Sequence, residues 1–187
     1  MILQLFRRTS QDAKIERLYG TIVAQARHPA LYETLGVPDT LEGRFEAIVL
    51  HCVLMLRRLR RADGALDAVG QALFDRFCTD MDHSLREIGV SDLGVPRQMR
   101  RMGEAFYGRA TVYDQALDAA DRAALCAALA RNVLGGETRT AAADGLADYV
   151  LRSETALAAQ EDGALASGDV AFPDPGASAV KEASHGG

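Results

Sequence analysis

Residues able to ligate a metal ion or to act as acids are concentrated in one segment near the middle of the chain: Asp75, Cys78, Asp80, Asp82 and His83. On a helix, Asp75 shares a face with Asp82, seven residues later, whereas Asp80 points elsewhere. A dinuclear metal site in a helical bundle also requires carboxylates and an ExxH motif from facing helices, and none of the predicted helices contains ExxH. We therefore expect solvated or salt-bridged carboxylates, with a small helical carboxylate–metal enzyme as an alternative.

Nucleophilic and nucleotide-binding chemistry has no supporting pattern. His51 directly precedes Cys52, but adjacent side chains on a helix diverge by about 100° and do not meet as a nucleophile and its base. We expect His51 to be a hydrogen-bonded core residue. The phosphate-binding motifs GxGxxG and GxxxxGK followed by Ser or Thr do not occur. The sequence thus predicts a protein that is not an enzyme and that uses neither a cofactor nor a metal ion.

Arginine is the residue type whose spacing favours a binding surface. The first arginine cluster comprises Arg57, Arg58, Arg60 and Arg61, and the second, on one face of a predicted helix, comprises Arg97, Arg100 and Arg101. Guanidinium groups bind carboxylates and phosphates, so these clusters could hold an acidic partner segment or RNA. The two clusters could extend one basic surface; ordinary solvated side chains are the other interpretation.

Apolar and aromatic residues accompany the second arginine cluster. Met102 and Phe106 line another face of the same predicted helix, as a deformable strip for a partner or as core. Tyr107 and Arg109 are of types enriched at interface hot spots, and Gly108 between them could allow close approach of a neighbouring helix or of a partner's backbone. The residues predicted to bind a partner are Arg57, Arg58, Arg61, Arg97, Arg100, Arg101, Met102, Phe106, Tyr107 and Arg109.

The composition predicts that helices position all these residues. Of 187 residues, 48% are hydrophobic and 25% charged, which is ordinary for a globular protein, and strand-like blocks of Val, Ile, Thr and Tyr are scarce. Ala, Leu and Arg dominate, as is typical of an all-helical chain. The net charge of −5 is unlike that of a DNA-binding protein, although the first third of the chain is basic.

Apolar periodicity and capping residues predict a single helical bundle of about six to seven helices. The predicted helices cover residues 11–27, 30–35, 41–61, 65–88, 96–118, 122–134 and 138–161. The helical domain therefore spans about 10–161 and follows a flexible N-terminus at 1–9. Residues 162–187 are rich in Gly, Ala, Ser, Pro and Asp, and we expect them to form a disordered tail.

The lengths of the apolar runs and the number of cysteines bear on whether the protein contacts a membrane and on where it is located. The longest apolar run, at 47–56, is about half the ~20 residues that span a bilayer, so we do not expect an integral membrane protein. Residues 1–6 could lie against a membrane surface. Three widely separated cysteines suggest reduced, buried thiols and a cytoplasmic protein.

Four segments of the chain resemble the ubiquinol–cytochrome c chaperone family. They are LYGTIVAQAR at 18–27, LEGRFEAIVLHCVLMLRRL at 41–59, LFDRFCTDMDHSLREIGVSDLGVPRQMRRM at 73–102 and AFYGRATVYDQAL at 105–117. The resemblance covers about residues 14–160, and its ordered D-M-D-x-x-L-R-E-x-G-V-x-D and M-x-E-A-F-Y-G-R motifs are specific. Alone, LRE or FYGR would be a weak signal.

This resemblance implies an all-helical assembly factor for respiratory complex III, not a catalyst. Family members in mitochondria bind newly made cytochrome b near the translating ribosome, and the present chain resembles the short bacterial members. The resemblance therefore implies cytochrome b as client, the ribosome as a possible partner, and a cytoplasmic location at the inner face of the membrane. A general ribosome- or RNA-binding helical module is the alternative. The family supplies no catalytic residues to carry over.

Overall fold

Eight helices make up the computed structural model, which describes residues 2–136 and 140–177. They are α1 (Ile2–Ala26), α2 (Pro29–Glu33), α3 (Leu41–Arg58), α4 (Ala68–Glu87), α5 (Val95–Asp118), α6 (Arg122–Asn132), α7 (Ala141–Ala158) and α8 (Asp162–Ser167). Within these ranges the only β-type pairing is an isolated bridge between Arg60 and Leu66. The predicted all-helical bundle is confirmed.

Helix α3 forms the centre of the bundle because it is apolar on nearly all sides. Val49, Leu50, Val53, Leu54 and Met55 are all buried, and α3 contacts α1, α4, α5 and α7. A helix of this kind loses the most apolar surface to water when it is surrounded by others. It therefore fixes the positions of the four helices packed around it.

Several helix ends carry a capping side chain, and others differ from the predicted bounds: α4, for example, begins at Ala68 and not at residue 65, and α7 ends at Ala158 and not at residue 161. The side chain of Thr40 accepts a hydrogen bond from the Gly43 N–H at 3.1 Å, and Asp121 accepts one from Ala124 at 2.9 Å. Helix α1, however, begins at Ile2 and not after Ser10, because residues 2–10 contain neither glycine nor proline to interrupt a helix. Helix α3 ends at Arg58, three residues earlier than predicted, where the chain enters a tight turn.

The folded part extends past the predicted domain boundary at 161. Leu165 of α8 is buried, and the ring of Phe172 lies edge-on to His51 with centroids 5.2 Å apart. The prediction of a disordered tail rested on the average composition of the segment, which is dominated by Gly, Ala and Pro. It therefore missed the few apolar residues that pack individually onto the bundle. Residues 178–187 of the predicted tail lie outside the described residues.

Among the helices in the described ranges, none combines the length and the apolar character needed to cross a membrane.

Candidate partner-binding site

An open cleft of about 320 Å³, with three aromatic rings in its lining, lies between the end of α3, the turn after it, α4 and α5. We call it the aromatic cleft; its lining is Val53, Leu56, Arg60, Gly64, Leu66, Gln71, Phe74, Phe106, Tyr107 and Ala110. The ring of Phe74 is 5.3 Å from that of Phe106 and 5.8 Å from that of Tyr107, centroid to centroid. Phe106 is buried, whereas Tyr107 is 61% exposed. The cleft thus joins the core to an aromatic ring that solvent reaches.

Helix geometry explains why neighbouring residues of α5 differ so much in exposure. Phe106 and Tyr107 are consecutive, so their side chains leave the helix about 100° apart and only one can face the core. Met102, one turn before Phe106, is half-buried against the same core. Of the predicted apolar strip, Phe106 and Met102 therefore belong mainly to the bundle, and Tyr107 is the residue that a partner can reach.

The tight turn at 59–66 builds one wall of the cleft. The Arg61 N–H donates to the Ala65 carbonyl at 2.8 Å, and Gly64 has a φ of +81°, a left-handed conformation that glycine adopts without strain. The bridge between Arg60 and Leu66 closes this turn. As a result Leu66 lies beside the aromatic rings and Arg60 lies in the lining next to them.

Carboxylates from other helices neutralise the first arginine cluster. Arg57 donates to Asp118 at 2.6 Å, to Glu154 at 3.1 Å and to Asp114 at 3.3 Å. Arg60 donates to the other oxygen of Asp114 at 2.6 Å. Burial opposes the charge of Arg57, but the hydrogen bonds that Arg57 donates to Asp118 and Glu154 outweigh it, so the pKa of that guanidinium is raised. These arginines clamp α3 to α5 and α7.

Arg58 and Arg61 also have partners within the chain. Arg58 donates to the carbonyls of Leu157 and Gln160 at 3.0 and 2.9 Å, which leaves fewer unsatisfied groups at the end of α7. Arg61 is exposed and pairs with Asp63, two residues later, at 2.8 Å. Arg58 also pairs with Asp162 at 2.6 Å. That both residues bind a partner stays a prediction.

The second arginine cluster stays exposed. Arg97, Arg100 and Arg101 make no ion pair with any residue in the described part of the chain. Arg100 and Tyr107 are seven residues apart on α5 and therefore share its solvent face. About 20 Å of helix separates Arg101 from Asp114, which pairs with the first cluster. Because carboxylates neutralise the first cluster, the two clusters do not form one uncompensated basic surface.

Arg109, a further predicted partner-binding residue, is turned inward. Its guanidinium makes two hydrogen bonds to the carboxylate of Glu46, a residue that is 4% exposed. Burial raises the pKa of Glu46 although Arg109 opposes this shift. The pair ties α5 to α3, and removing either partner would leave a charge in a poorly solvated place.

Gly108 has no packing neighbour that requires a glycine. A Cβ atom built there would meet no atom within 4 Å among the described residues. The predicted close approach of a neighbouring helix is therefore wrong, and the close approach of a partner's backbone stays a prediction. Gly108 lies next to Tyr107 on the exposed side of α5.

The acidic segment of α4 is used for hydrogen bonds and ion pairs. Asp80 accepts from the Tyr19 hydroxyl at 2.8 Å, Asp82 pairs with Arg86 at 2.7 Å, and Asp75 accepts from the Gln71 amide at 2.9 Å. Across residues 2–136 and 140–177, no three His, Cys, Asp or Glu side chains are grouped so that they could hold a metal ion.

His51 is a core residue, as predicted. Its Nδ1 lies 2.7 Å from the Ala47 carbonyl, which can only accept, so Nδ1 carries the proton and Nε2 accepts from the Tyr149 hydroxyl at 2.7 Å. That hydroxyl in turn accepts from the Gln25 amide at 2.9 Å. Burial lowers the pKa of His51 to about 4, so the ring is neutral at pH 7.

Three residues that complete the exposed surfaces were missed in the list of predicted partner-binding residues. Phe74 precedes Phe77 by one turn, at the edge of the apolar stripe of α4, and this spacing is the signal that could have indicated a second aromatic face. Leu66 follows a turn marked by Asp63 and Gly64. Leu93, a large apolar residue among Ser, Asp and Gly, is 94% exposed.

The sequence and the structure of this chain are similar to those of known proteins. A family model described as "Ubiquinol-cytochrome C chaperone" matches residues 33–172. The crystal structure of the Cbp3 homolog from Brucella abortus is 44% identical, with a TM-score of 0.82, over 94% of this chain and 98% of that one. The ubiquinol-cytochrome-c reductase complex assembly factor 1 of Xenopus laevis is 28% identical over 118 residues, which are 63% of this chain and 58% of the frog protein. The matched region contains the whole lining of the aromatic cleft, and the chain belongs to the ubiquinol–cytochrome c chaperone family.

Proposed function

We propose that this protein is a non-catalytic assembly chaperone for ubiquinol–cytochrome c reductase, respiratory complex III, and that its client is newly made cytochrome b. Membership of the chaperone family supports the assembly role, as does the similarity to the frog assembly factor. The single observation that carries the proposal is the aromatic cleft, with Tyr107 exposed at its mouth.

An open cleft of this kind suits transient binding of an apolar segment. Phe74 and Tyr107 offer ring faces to an apolar client side chain, and tyrosine is among the residues that contribute most to interfaces. Gly108 leaves room for the client's backbone on the adjacent helix surface. The client would be shielded from water while it waits for its partner subunits, and no bond would be made or broken.

The polar groups next to the cleft support a binding role over catalysis. Arg60 and Asp114 are paired with each other at 2.6 Å, so neither is available as an acid or base for a bound molecule. The buried, neutral His51 is held by Ala47 and Tyr149.

A ribosome- or RNA-binding role has less support than the sequence suggested. Its basis was a continuous basic surface, and the first arginine cluster is largely neutralised by Asp114, Asp118 and Glu154. Three exposed arginines on α5 remain, on a chain with a net charge of −5. Three arginines offer few phosphate contacts for RNA, whose binding depends mainly on such contacts.

Deleting the gene tests the proposed role, and a cleft variant tests the site. We expect the deletion strain to lose assembled complex III and cytochrome b while other respiratory complexes remain. Tyr107→Asp should weaken capture of cytochrome b by about 30-fold or more, because it removes a hot-spot ring and introduces a charge. Leu41→Asp, at another exposed apolar residue outside the cleft, is the matched control. Normal complex III in the deletion strain would refute the role; equal capture by both variants would refute the site.

A further inference from the structure

The corner between α4 and α5 presents two large apolar side chains to solvent. Ile88 is 61% exposed and Leu93 is 94% exposed. The backbone holds them there: the Val90 N–H donates to the Leu85 carbonyl at 3.0 Å, and the Val95 N–H donates to the Ser91 carbonyl at 3.0 Å. Val95 itself is buried, so the chain is anchored immediately after Leu93. The exposure of Leu93 is therefore built into the corner.

Positive charge accompanies these apolar side chains. Arg97 and Arg101, in the first two turns of α5, are exposed and unpaired within the described residues. The acidic residue nearest in sequence to Leu93 is Asp92, which pairs with Arg86, and Arg86 also pairs with Asp82. Residues 88–101 contain three arginines and a single acid, Asp92, although the whole chain is acidic. The corner thus combines protruding apolar groups with a local excess of positive charge.

We propose that this corner, formed by Ile88, Leu93, Arg97 and Arg101, docks onto the surface of an anionic lipid bilayer. The apolar side chains enter the headgroup region, and the arginines bind lipid phosphates. Guanidinium groups form paired hydrogen bonds with phosphate oxygens and are weakly hydrated, which suits them to this boundary. The partner is a lipid surface whose anionic phosphates complement the local charge.

Two features favour lipid over RNA. Proteins that hold single-stranded RNA stack bases on aromatic rings, and residues 88–101 contain no aromatic residue. RNA offers no apolar medium for Leu93, whereas a bilayer does. Helix α5 begins two residues after Leu93, and about 18 Å of it separates Val95 from Tyr107, so docking here would bring the aromatic cleft close to the bilayer. The lipid contact itself needs no client and can be tested without one.

The chain contains no tryptophan, so a single introduced tryptophan reports its own surroundings. In the Leu93→Trp variant of the 187-residue chain, we expect tryptophan emission to shift to shorter wavelength on vesicles containing phosphatidylglycerol, and brominated lipids to quench it. Vesicles of phosphatidylcholine alone should give no shift. The matched control is Ala62→Trp, in the exposed turn beside the first arginine cluster, whose emission should not change.

Charge variants test the arginines. Arg97→Gln with Arg101→Gln should weaken vesicle binding by about 25-fold, from roughly 5-fold per arginine near an anionic surface. Arg27→Gln with Arg131→Gln, at two other exposed arginines without ion pairs in the described part of the chain, should change it little. Raising the salt concentration should weaken wild-type binding.

Several results would overturn the lipid proposal. These are an unchanged Leu93→Trp emission, an equal shift for Ala62→Trp, or equal losses for both arginine pairs. Loss of RNA binding without loss of vesicle binding in the Arg97→Gln/Arg101→Gln variant would assign the surface to RNA and overturn it as well. Because pure vesicles contain no cytochrome b, none of these results bears on the proposed client.

Discussion

His51 links three helices through a buried hydrogen-bond chain. Gln25 of α1 donates to the Tyr149 hydroxyl of α7, and that hydroxyl donates to His51 of α3. The Gln25 amide also donates to the Pro173 carbonyl at 2.9 Å. Protonating Nε2 would turn the acceptor for Tyr149 into a donor and place a charge in a fully buried site.

This arrangement predicts that the stability of the protein depends on pH through His51. The folded-state pKa of about 4 lies below the ordinary value of 6.5, so the stabilisation is fully present above pH 6.5 and is lost as the pH falls towards 4. The difference corresponds to about 3 kcal/mol. Urea unfolding at several pH values should show that the free energy of unfolding of the wild type falls by about 3 kcal/mol more than that of a His51→Gln variant as the pH is lowered from 6.5 towards 4. Parallel pH dependence of the two proteins would contradict the assignment.

The role of His51 could be predicted from local sequence, but its partners could not. An apolar helix around a lone histidine indicates a buried, satisfied ring. Tyr149 and Gln25 are 98 and 26 residues away along the chain, and no local pattern specifies them. The same distance problem concealed the partner of Arg109, because Glu46 lies 63 residues away along the chain.

At the level of the helix, spacing predicted exposure on α5 correctly for the arginines and incompletely for the aromatic residues. The periodicity placed Arg97, Arg100 and Arg101 on one face, and they are exposed. The first cluster looks equally basic in sequence. Its neutralisation depends on Asp114 and Glu154, which come from helices that only tertiary packing brings to α3. The charges on a helix can be read from its own sequence, whereas the side chains that face it from other helices cannot.

Gly108 provides a prediction that separates stability from binding. Alanine is favoured over glycine inside a helix by about 1 kcal/mol, and a Cβ there meets nothing within 4 Å in the described chain. Gly108→Ala should therefore raise the free energy of unfolding while weakening capture of the client. Gly20→Ala, in open space on α1, is the matched control that should stabilise without affecting capture. Unweakened capture by Gly108→Ala would mean that no partner backbone approaches there.

At the scale of the whole molecule, residues 162–177 close the bundle on the side of α1 and α7. Gly168 has a φ of +82°, and a Cβ there would lie 2.7 Å from the Lys14 carbonyl oxygen, so only glycine lets the chain pass this close to α1. Beyond it, the Gln160 side chain donates to the Ala171 carbonyl and accepts from the Ala171 N–H, at 2.8 and 2.9 Å. These contacts position the ring of Phe172 against His51.

A truncation at the boundary predicted from composition tests whether this closing segment is part of the folding unit. A chain ending at Glu161 loses the buried Leu165 and the Phe172 contact with His51, and we expect the free energy of unfolding to fall by about 4 kcal/mol. A chain ending at Ala177 retains every contact named here and is the matched control. Leu165→Ala alone should cost about 2 kcal/mol or more, because the bundle fills only part of the space left by a buried leucine. Equal urea midpoints for the chains ending at 161 and 177 would show instead that the bundle is complete without this segment, and that the Leu165 and Phe172 contacts add nothing to its stability.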